Sequence, residues 1–258
     1  MKILVLVKEV PDTYADRSLS LDTGLIDRGT ADAVLDEIGE RALEVALQHA
    51  DSHADTEVVL LSMAPGTAAT SLRKGLAMGA GSAVQVVDIA LAGADLTLTA
   101  ETLAAALRRI GFDLVIAGDQ STDGAGGVLP AMLAELLAVP AALNLQSVEI
   151  EHEAVQGVAR TDFGTVELTA SLPAIVSITE ALPDARFPNF KGILAAKKKS
   201  LETLSLADLE VDAHDPGAAR SIMTRVAERT PRQAGSTIVD GGDAGERLAE
   251  FLVQNRLA

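Results

Sequence analysis

Cysteine and tryptophan are both absent from the 258 residues, tyrosine occurs once and phenylalanine five times. Without cysteine the chain has no disulfide, no thiol nucleophile, no thiolate zinc and no cysteine-held iron–sulfur cluster, which fits a reducing compartment. So few aromatics leave little to stack on nucleic-acid bases. Positive charge is also scarce: Lys+Arg number 21 against Asp+Glu 37, and the net charge of −16 opposes phosphate backbones and anionic membranes. Nucleic acid is not expected as a partner. No apolar run reaches the roughly 18 to 20 uncharged residues that cross a bilayer, and no basic leader precedes the apolar segment Ile3 to Val7. A cytoplasmic protein without membrane insertion is expected. Three nucleotide fingerprints are missing as well: G-x-G-x-x-G after the first strand, G-x-x-x-x-G-K-[ST], and Ser-Gly-Gly-x-Asp-Ser. Their absence disfavours an autonomous NAD enzyme, an ordinary ATPase and a pyrophosphate-releasing ATP enzyme.

What is present is ordinary globular composition, 48% hydrophobic and 22% charged, in a chain long enough for one large domain with an appendage. Short β-branched runs alternate with helical periods up to about residue 145, the pattern of a parallel sheet with covering helices. Strands are predicted at Lys2–Val7, Glu57–Ser62, Ala83–Val87 and Asp113–Ala117, and helices from Asp32 to about Ala50, Thr67 to Met78, Thr97 to Ile110 and Gly127 to Leu137. In the first helix Leu35, Ile38, Ala42, Val45 and Ala46 share one face, leaving Asp36, Glu37, Glu40, Arg41 and Glu44 to solvent. The insertion Pro11 to Thr30 reads as a small rim hairpin, with Asp22-Thr23-Gly24 as its turn. From Ser147 to Ile178 the period becomes two, giving an antiparallel addition to the sheet. The fold class is α/β: three layers, a mostly parallel Rossmann-like sheet with helices on both faces, suited to an adenine nucleotide. Residues 1–205 form that domain, and 206–258 an extended arm ending in an amphipathic helix that carries Leu248, Phe251 and Leu252. Such an arm either folds back on its own domain or clasps another chain.

The strand Phe112–Ala117 runs into Gly118-Asp119-Gln120-Ser121-Thr122-Asp123-Gly124-Ala125-Gly126-Gly127, with a helix predicted to follow. A glycine-rich turn between strand end and helix start lets backbone N–H groups approach an anion where the helix dipole favours negative charge. A phosphate suits it; a tight connection with an Asp/Thr cap is the alternative. Arg73 and Lys74, late in their helix, suit its C-terminal dipole or an interface. His49 and His53 have metal-ligand spacing on a helix but fall where that helix frays, and are set aside. No arrangement for catalysis by the side chains can be argued from spacing.

In Arg186-Phe187-Pro188-Asn189-Phe190-Lys191, two phenylalanines lie beside prolines, and Arg186, Lys191 and Lys197 to Lys199 form a basic island. Rigid aromatic anchors with a local positive patch suit docking to an acidic partner; burial of both rings in the core is the alternative.

Together, Lys2–Val10 followed by Pro11-Asp12-Thr13, VLDEIGERALE from Val34 to Glu44, SLRKGLAMGA from Ser71 to Ala80, the glycine loop and above all RFPNFKGILAAKKK from Arg186 to Lys199 resemble the β subunit of electron transfer flavoprotein, in an actinobacterial form, over nearly the whole chain. The resemblance implies a non-enzymatic electron carrier that pairs with a larger α subunit. The α subunit chiefly holds one FAD, and the pair passes electrons from acyl-CoA and other flavin dehydrogenases, as in fatty acid oxidation, to a membrane quinone oxidoreductase. It also implies AMP bound by Leu6, by Ala33, Val34, Leu35 and Asp36, by Met63, and by the loop Gly118 to Gly127 with Val128 and Leu129. A partner-recognition loop is implied at 183–191, including Arg186, Phe187, Pro188, Asn189, Phe190 and Lys191, and Thr13 and Tyr14 fall where β approaches the flavin. Many relatives carry Asn-Pro where this chain has Ala33-Val34, and Leu where it has Phe190. A universal-stress-type adenine-nucleotide-binding regulator is the rival reading; it accounts for the glycine loop but gives no reason for RFPNF or the arm.

Overall fold

Lys2–Leu6 forms β1, and its Ile3, Leu4 and Val5 are all fully buried, which a strand achieves only when both faces are covered. The computed structural model of the protein describes residues 1–29, 31–232, 235 and 237–257. The chain continues through β2 (Glu9–Pro11), β3 (Ala33–Leu35), α1 (Glu37–Ser52), β4 (Glu57–Met63), α2 (Ala69–Met78), β5 (Ser82–Val86), α3 (Leu96–Ile110), β6 (Leu114–Gly118) and α4 (Leu129–Leu137). Then follow β7 (Ala141–Ile150), β8 (Ala154–Thr161), β9 (Gly164–Ser171), β10 (Ala174–Ile178), α5 (Phe190–Ala196), β11 (Leu201–Leu204) and α6 (Ala244–Gln254).

Nine strands make one sheet in the order β11-β5-β4-β1-β6-β10-β7-β8-β9, parallel from β11 to β7 and antiparallel from β7 to β9. Strand side chains alternate between faces, so Ile3 and Val5 pack with Leu43 of α1 and Leu72 and Leu76 of α2, while Leu4 packs with Leu103 and Leu107 of α3 and Leu133 of α4. Each fully buried leucine contributes on the order of 2 kcal/mol relative to exposure, so two such layers hold the sheet from both sides. The chain pairs β1 with β4 on one side and returns to pair β6 on the other. That reversal opens a crevice beyond the carboxyl ends of β4, β1 and β6, where open α/β sheets bind ligands.

Three sequence expectations change, and one strand is added to those predicted. Helix α1 begins at Glu37, because Ala33–Leu35 returns from the insertion and pairs antiparallel with Glu9–Pro11, Asp36 N donating to Lys8 O at 2.9 Å; only Asp36 O accepts the first helical N–H, from Glu40 at 3.0 Å. Strand β10 is no part of the antiparallel addition: it lies between β6 and β7, parallel to both and wholly buried, as its unbroken Ala-Ile-Val-Ser-Ile requires. Asp36 and Glu44 are not on a solvent face but 2% and 6% exposed. Strand β11, four residues parallel to the edge of β5, is too short to have a sequence signature.

The insertion does carry a hairpin: Leu19 bridges Ile26, and Gly24, at φ 68, donates to Ser20 O at 2.7 Å. Its last predicted residue, Thr30, lies outside the described residues, as do positions 233, 234, 236 and 258 of the predicted arm. The chain divides into two compact units, Met1–Thr224 and Arg225–Ala258. In the first, Leu206 and Leu209 are buried, Leu209 with the α3-side core. The second contains α6, whose Leu248, Phe251 and Leu252 fall at helical spacing and none of whose described residues is buried.

Candidate functional site

Leu6, Met63 and Gly118 end three neighbouring strands at the crevice. Gly118 is there for want of a side chain: a Cβ would stand 2.6 Å from two carbons of Ile38, so only glycine lets the first turn of α1 close over the end of β6. Asp119 N extends the ladder to Ile178 O at 2.9 Å, after which the loop turns, Ala125 N donating to Ser121 O at 2.9 Å. Ala125 and Gly127 both have positive φ, 46° and 65°. Gly126 and Gly127 are exposed, and their N–H groups meet no acceptor among the described residues.

Asp36, at the start of α1, joins this loop: its Oδ2 accepts from Thr122 N at 2.9 Å, while its Oδ1 is buried without a partner among the described residues. Burial raises the Asp36 carboxyl above the ordinary range, and the charge of Asp123 pushes the same way against the Thr122 hydrogen bonds. Asp123 behaves oppositely. Its side chain is 3% exposed, and burial alone would raise it, but the hydrogen bond and charge of Lys8 hold it below the ordinary range. Lys8 Nζ lies 2.6 Å from Oδ1 of Asp123 and Arg28 Nη2 3.0 Å from Oδ2. Arg17 adds a third cation, donating to Thr122 O and, at 3.0 Å, to Pro11 O. Asp119 is raised, first by burial, with Glu180 adding to it.

The structure therefore unites the ends of β1, β4 and β6 with the loop and Asp36. Ala33, Val34 and Leu35 stand in β3 just before Asp36. Ala33 also borders a cleft of about 430 Å³ between the β2–β3 ribbon and the start of α2, lined further by Thr67, Thr70 and Ser71. Tyr14 lies in the turn after β2 and is almost fully exposed. Sequence reading missed Lys8, Arg17 and Arg28, since each lies ninety or more positions from the loop it meets. The available signal was basic residues in the opening segment of an acidic chain.

The second feature is the segment 183–191. Arg41 donates to Leu182 O and to the Asp184 carboxylate. Arg186 meets Glu44 through its backbone N–H at 3.1 Å and through Nε and Nη2 at 2.7 and 3.0 Å, and Nη2 reaches Asp51 at 2.8 Å. Burial would raise the Glu44 carboxyl, yet the Arg186 hydrogen bonds hold it below the ordinary range. One helix, α1, thus fastens the first part of the loop at Leu182, Asp184 and Arg186. Beyond these positions Phe187 is 92% and Phe190 75% exposed, so neither ring belongs to the core.

Asn189 caps α5 by accepting Gly192 N at 2.8 Å, and Gly192 sits where a Cβ would come within 2.2 Å of Ala77 O, which lets α5 lie against α2. Arg73 donates to Ala196 O and Lys199 O at 2.6 and 2.7 Å, and Lys74 pairs with Glu40. Lys199 leaves the predicted basic island: its Nζ satisfies the α2 C-terminal carbonyls of Leu76 and, beyond the helix, Ala80, at 2.9 and 2.6 Å. A groove of about 540 Å³ between α2 and α5 is lined by Arg73, Lys74, Ala77, Pro188, Ile193 and Lys197 among others. His49 and His53 stack at 4.1 Å, and no group of three metal-binding side chains occurs among the described residues.

Compared with known proteins, residues 23–209 match the electron transfer flavoprotein domain family. The chain is 42% identical, over 99% of its length and 98% of the relative's, to the electron transfer flavoprotein subunit beta of Mycobacterium tuberculosis. To the protein of the same name from Mycobacterium leprae it is 43% identical with the same coverage. It is also 31% identical, over 81% of its length and 80% of the relative's, to the caffeyl-CoA reductase-Etf complex subunit CarD of Acetobacterium woodii.

Proposed function

The chain belongs to the electron transfer flavoprotein family, as an electron-carrier β subunit that pairs with an α subunit, and from that premise we propose how it works. In the cytoplasm it binds AMP at the crevice, through Leu6, Ala33 to Asp36, Met63 and the loop from Gly118 to Leu129. Its exposed glycine N–H groups suit a phosphate. FAD, held chiefly by the α subunit with Tyr14 on the approach, supplies the redox chemistry. This chain supplies a rigid wall and a contact loop. The pair takes electrons from acyl-CoA and related flavin dehydrogenases, as in fatty acid oxidation, and delivers them to a membrane quinone oxidoreductase. Residues after 205 contact the α subunit.

The observation that carries this reading is the pair of exposed rings, Phe187 and Phe190, on a loop bonded to α1 through Asp184 and Arg186 before the rings and capped by Asn189 at the start of α5. Exposed aromatics held rigid lose little entropy on binding, the property of an interface anchor. Coexpression with an α subunit tests it: a yellow 1:1 complex that releases AMP on acid denaturation, and whose flavin is reduced by an acyl-CoA dehydrogenase with its substrate, is expected. A colourless chain that ignores the α subunit overturns it.

A further inference from the structure

The glycine loop carries its own anion, and cations from two distant segments are closed on it. Lys8, two residues past β1, and Arg28, from the insertion, each take one oxygen of Asp123. Gly124 N adds a third donor to Oδ1 at 2.6 Å, and Lys8 also donates to Ser121 Oγ at 3.3 Å. Ammonium, guanidinium and backbone N–H around two oxygens of one group form the donor set of a phosphate site, here filled by a carboxylate. The carboxylate is 3% exposed, whereas the side chains of Lys8 and Arg28 are 42% and 41% exposed, so both cations present a free side to an incoming ligand. Their convergence in a chain of net charge −16, beside the unbonded N–H groups of Gly126 and Gly127, sets this patch apart from the acidic remainder.

We propose that Lys8 and Arg28 are the phosphate-binding cations of the loop and that Asp123 is an internal stand-in, released when the phosphate of a nucleoside monophosphate takes its place. The exchange keeps both cations paired throughout, and a phosphate offers more charge and more acceptor oxygens than the carboxylate it replaces. Gly124, Gly126 and Gly127 give the backbone the freedom to let Asp123 swing out. The inference rests on the nucleotide reading given above.

The test is calorimetric titration of the full-length chain with AMP, with adenosine and with inorganic phosphate. Lys8→Gln and Arg28→Gln are each expected to weaken AMP about tenfold and to leave adenosine unchanged. Asp123→Asn, with Asp123→Ser as a second variant should the first not fold, is expected to tighten AMP several-fold. AMP binding that ignores Lys8→Gln and Arg28→Gln, or that the Asp123 variants weaken, overturns the proposal and leaves the nucleotide reading standing. Inorganic phosphate bound with the same dependence on Lys8 and Arg28, but no AMP bound, upholds the two cations and sinks the nucleotide reading. Binding of neither ligand overturns both.

Discussion

Arg186 closes on Glu44 with three donors at once, its own backbone N–H at 3.1 Å and its guanidinium at 2.7 and 3.0 Å, so one buried carboxylate fixes both the path of the loop and the direction of its side chain. Removing that carboxylate's charge leaves Arg186 with Asp51 alone. Glu44→Gln is expected to lower stability by about 1–3 kcal/mol. It should also raise the KM for reduction by a dehydrogenase while flavin content in the complex stays constant. Unchanged KM in steady-state reduction assays would show that the pair does not position the loop.

The two exposed rings should separate docking from folding. Phe187→Ala and Phe190→Ala remove side chains that touch little of the protein, so melting temperature should barely move, within about 0.5 kcal/mol of wild type. The rate of flavin reduction at limiting carrier should fall for at least Phe190→Ala. Rates equal to wild type for both would remove the loop from the contact.

Gly118 allows a direct steric test. Gly118→Ala places a methyl group against Ile38 and is expected to cost about 1–3 kcal/mol. The double variant with Ile38→Ala should lose less than the two single variants' losses summed, since the second change makes room for the first. Urea midpoints of the four proteins measure this, and strict additivity would refute the clash.

Glu44 and Asp36 should bend the pH dependence in opposite senses. The Glu44 carboxyl titrates below its ordinary 4.5 in the folded chain, so its contribution is complete above that value and is lost as pH falls through the lowered one. Asp36 titrates above its ordinary 3.8, so its contribution is complete below 3.8 and is lost as pH rises through the raised value. Stability measured from about pH 3 to pH 7 should therefore show Glu44→Gln converging on wild type in acid. Asp36→Asn should gain on wild type as pH rises. Curves parallel to wild type would contradict both assignments.

Truncation distinguishes the core from the arm. A chain ending at Thr224 keeps Leu206 and Leu209, and should retain the first unit's melting temperature while pairing less well with the α subunit. A chain ending at 205 also loses two buried leucines, expected to cost about 2–5 kcal/mol each. Copurification and thermal melting read the two effects separately.

Much of this was legible beforehand. The unbroken apolar run of β1 and the spacing of Ala42 and Ala46 in α1 encode local burial, and the glycines after β6 encode a backbone that needs room. Other features lay beyond reach because their causes are tertiary. Val34 and Leu35 fit the helical period of α1, yet the ribbon with Glu9–Pro11 claims them. Glu44 reads as solvent-facing until a residue 142 positions later covers it. Lys8 and Arg28 look like surface charges of a strand end and a loop, and only the closing of the sheet brings Asp123 to them.

Asp36, Arg41, Glu44 and Asp51 all belong to α1 or its first step, within about 22 Å along a single rod. The crevice and the contact loop have therefore inherited a common spine. A genetic screen scoring nucleotide retention and one scoring electron uptake should recover overlapping alleles there, with pleiotropy concentrated in one short stretch of coding sequence and scarce elsewhere.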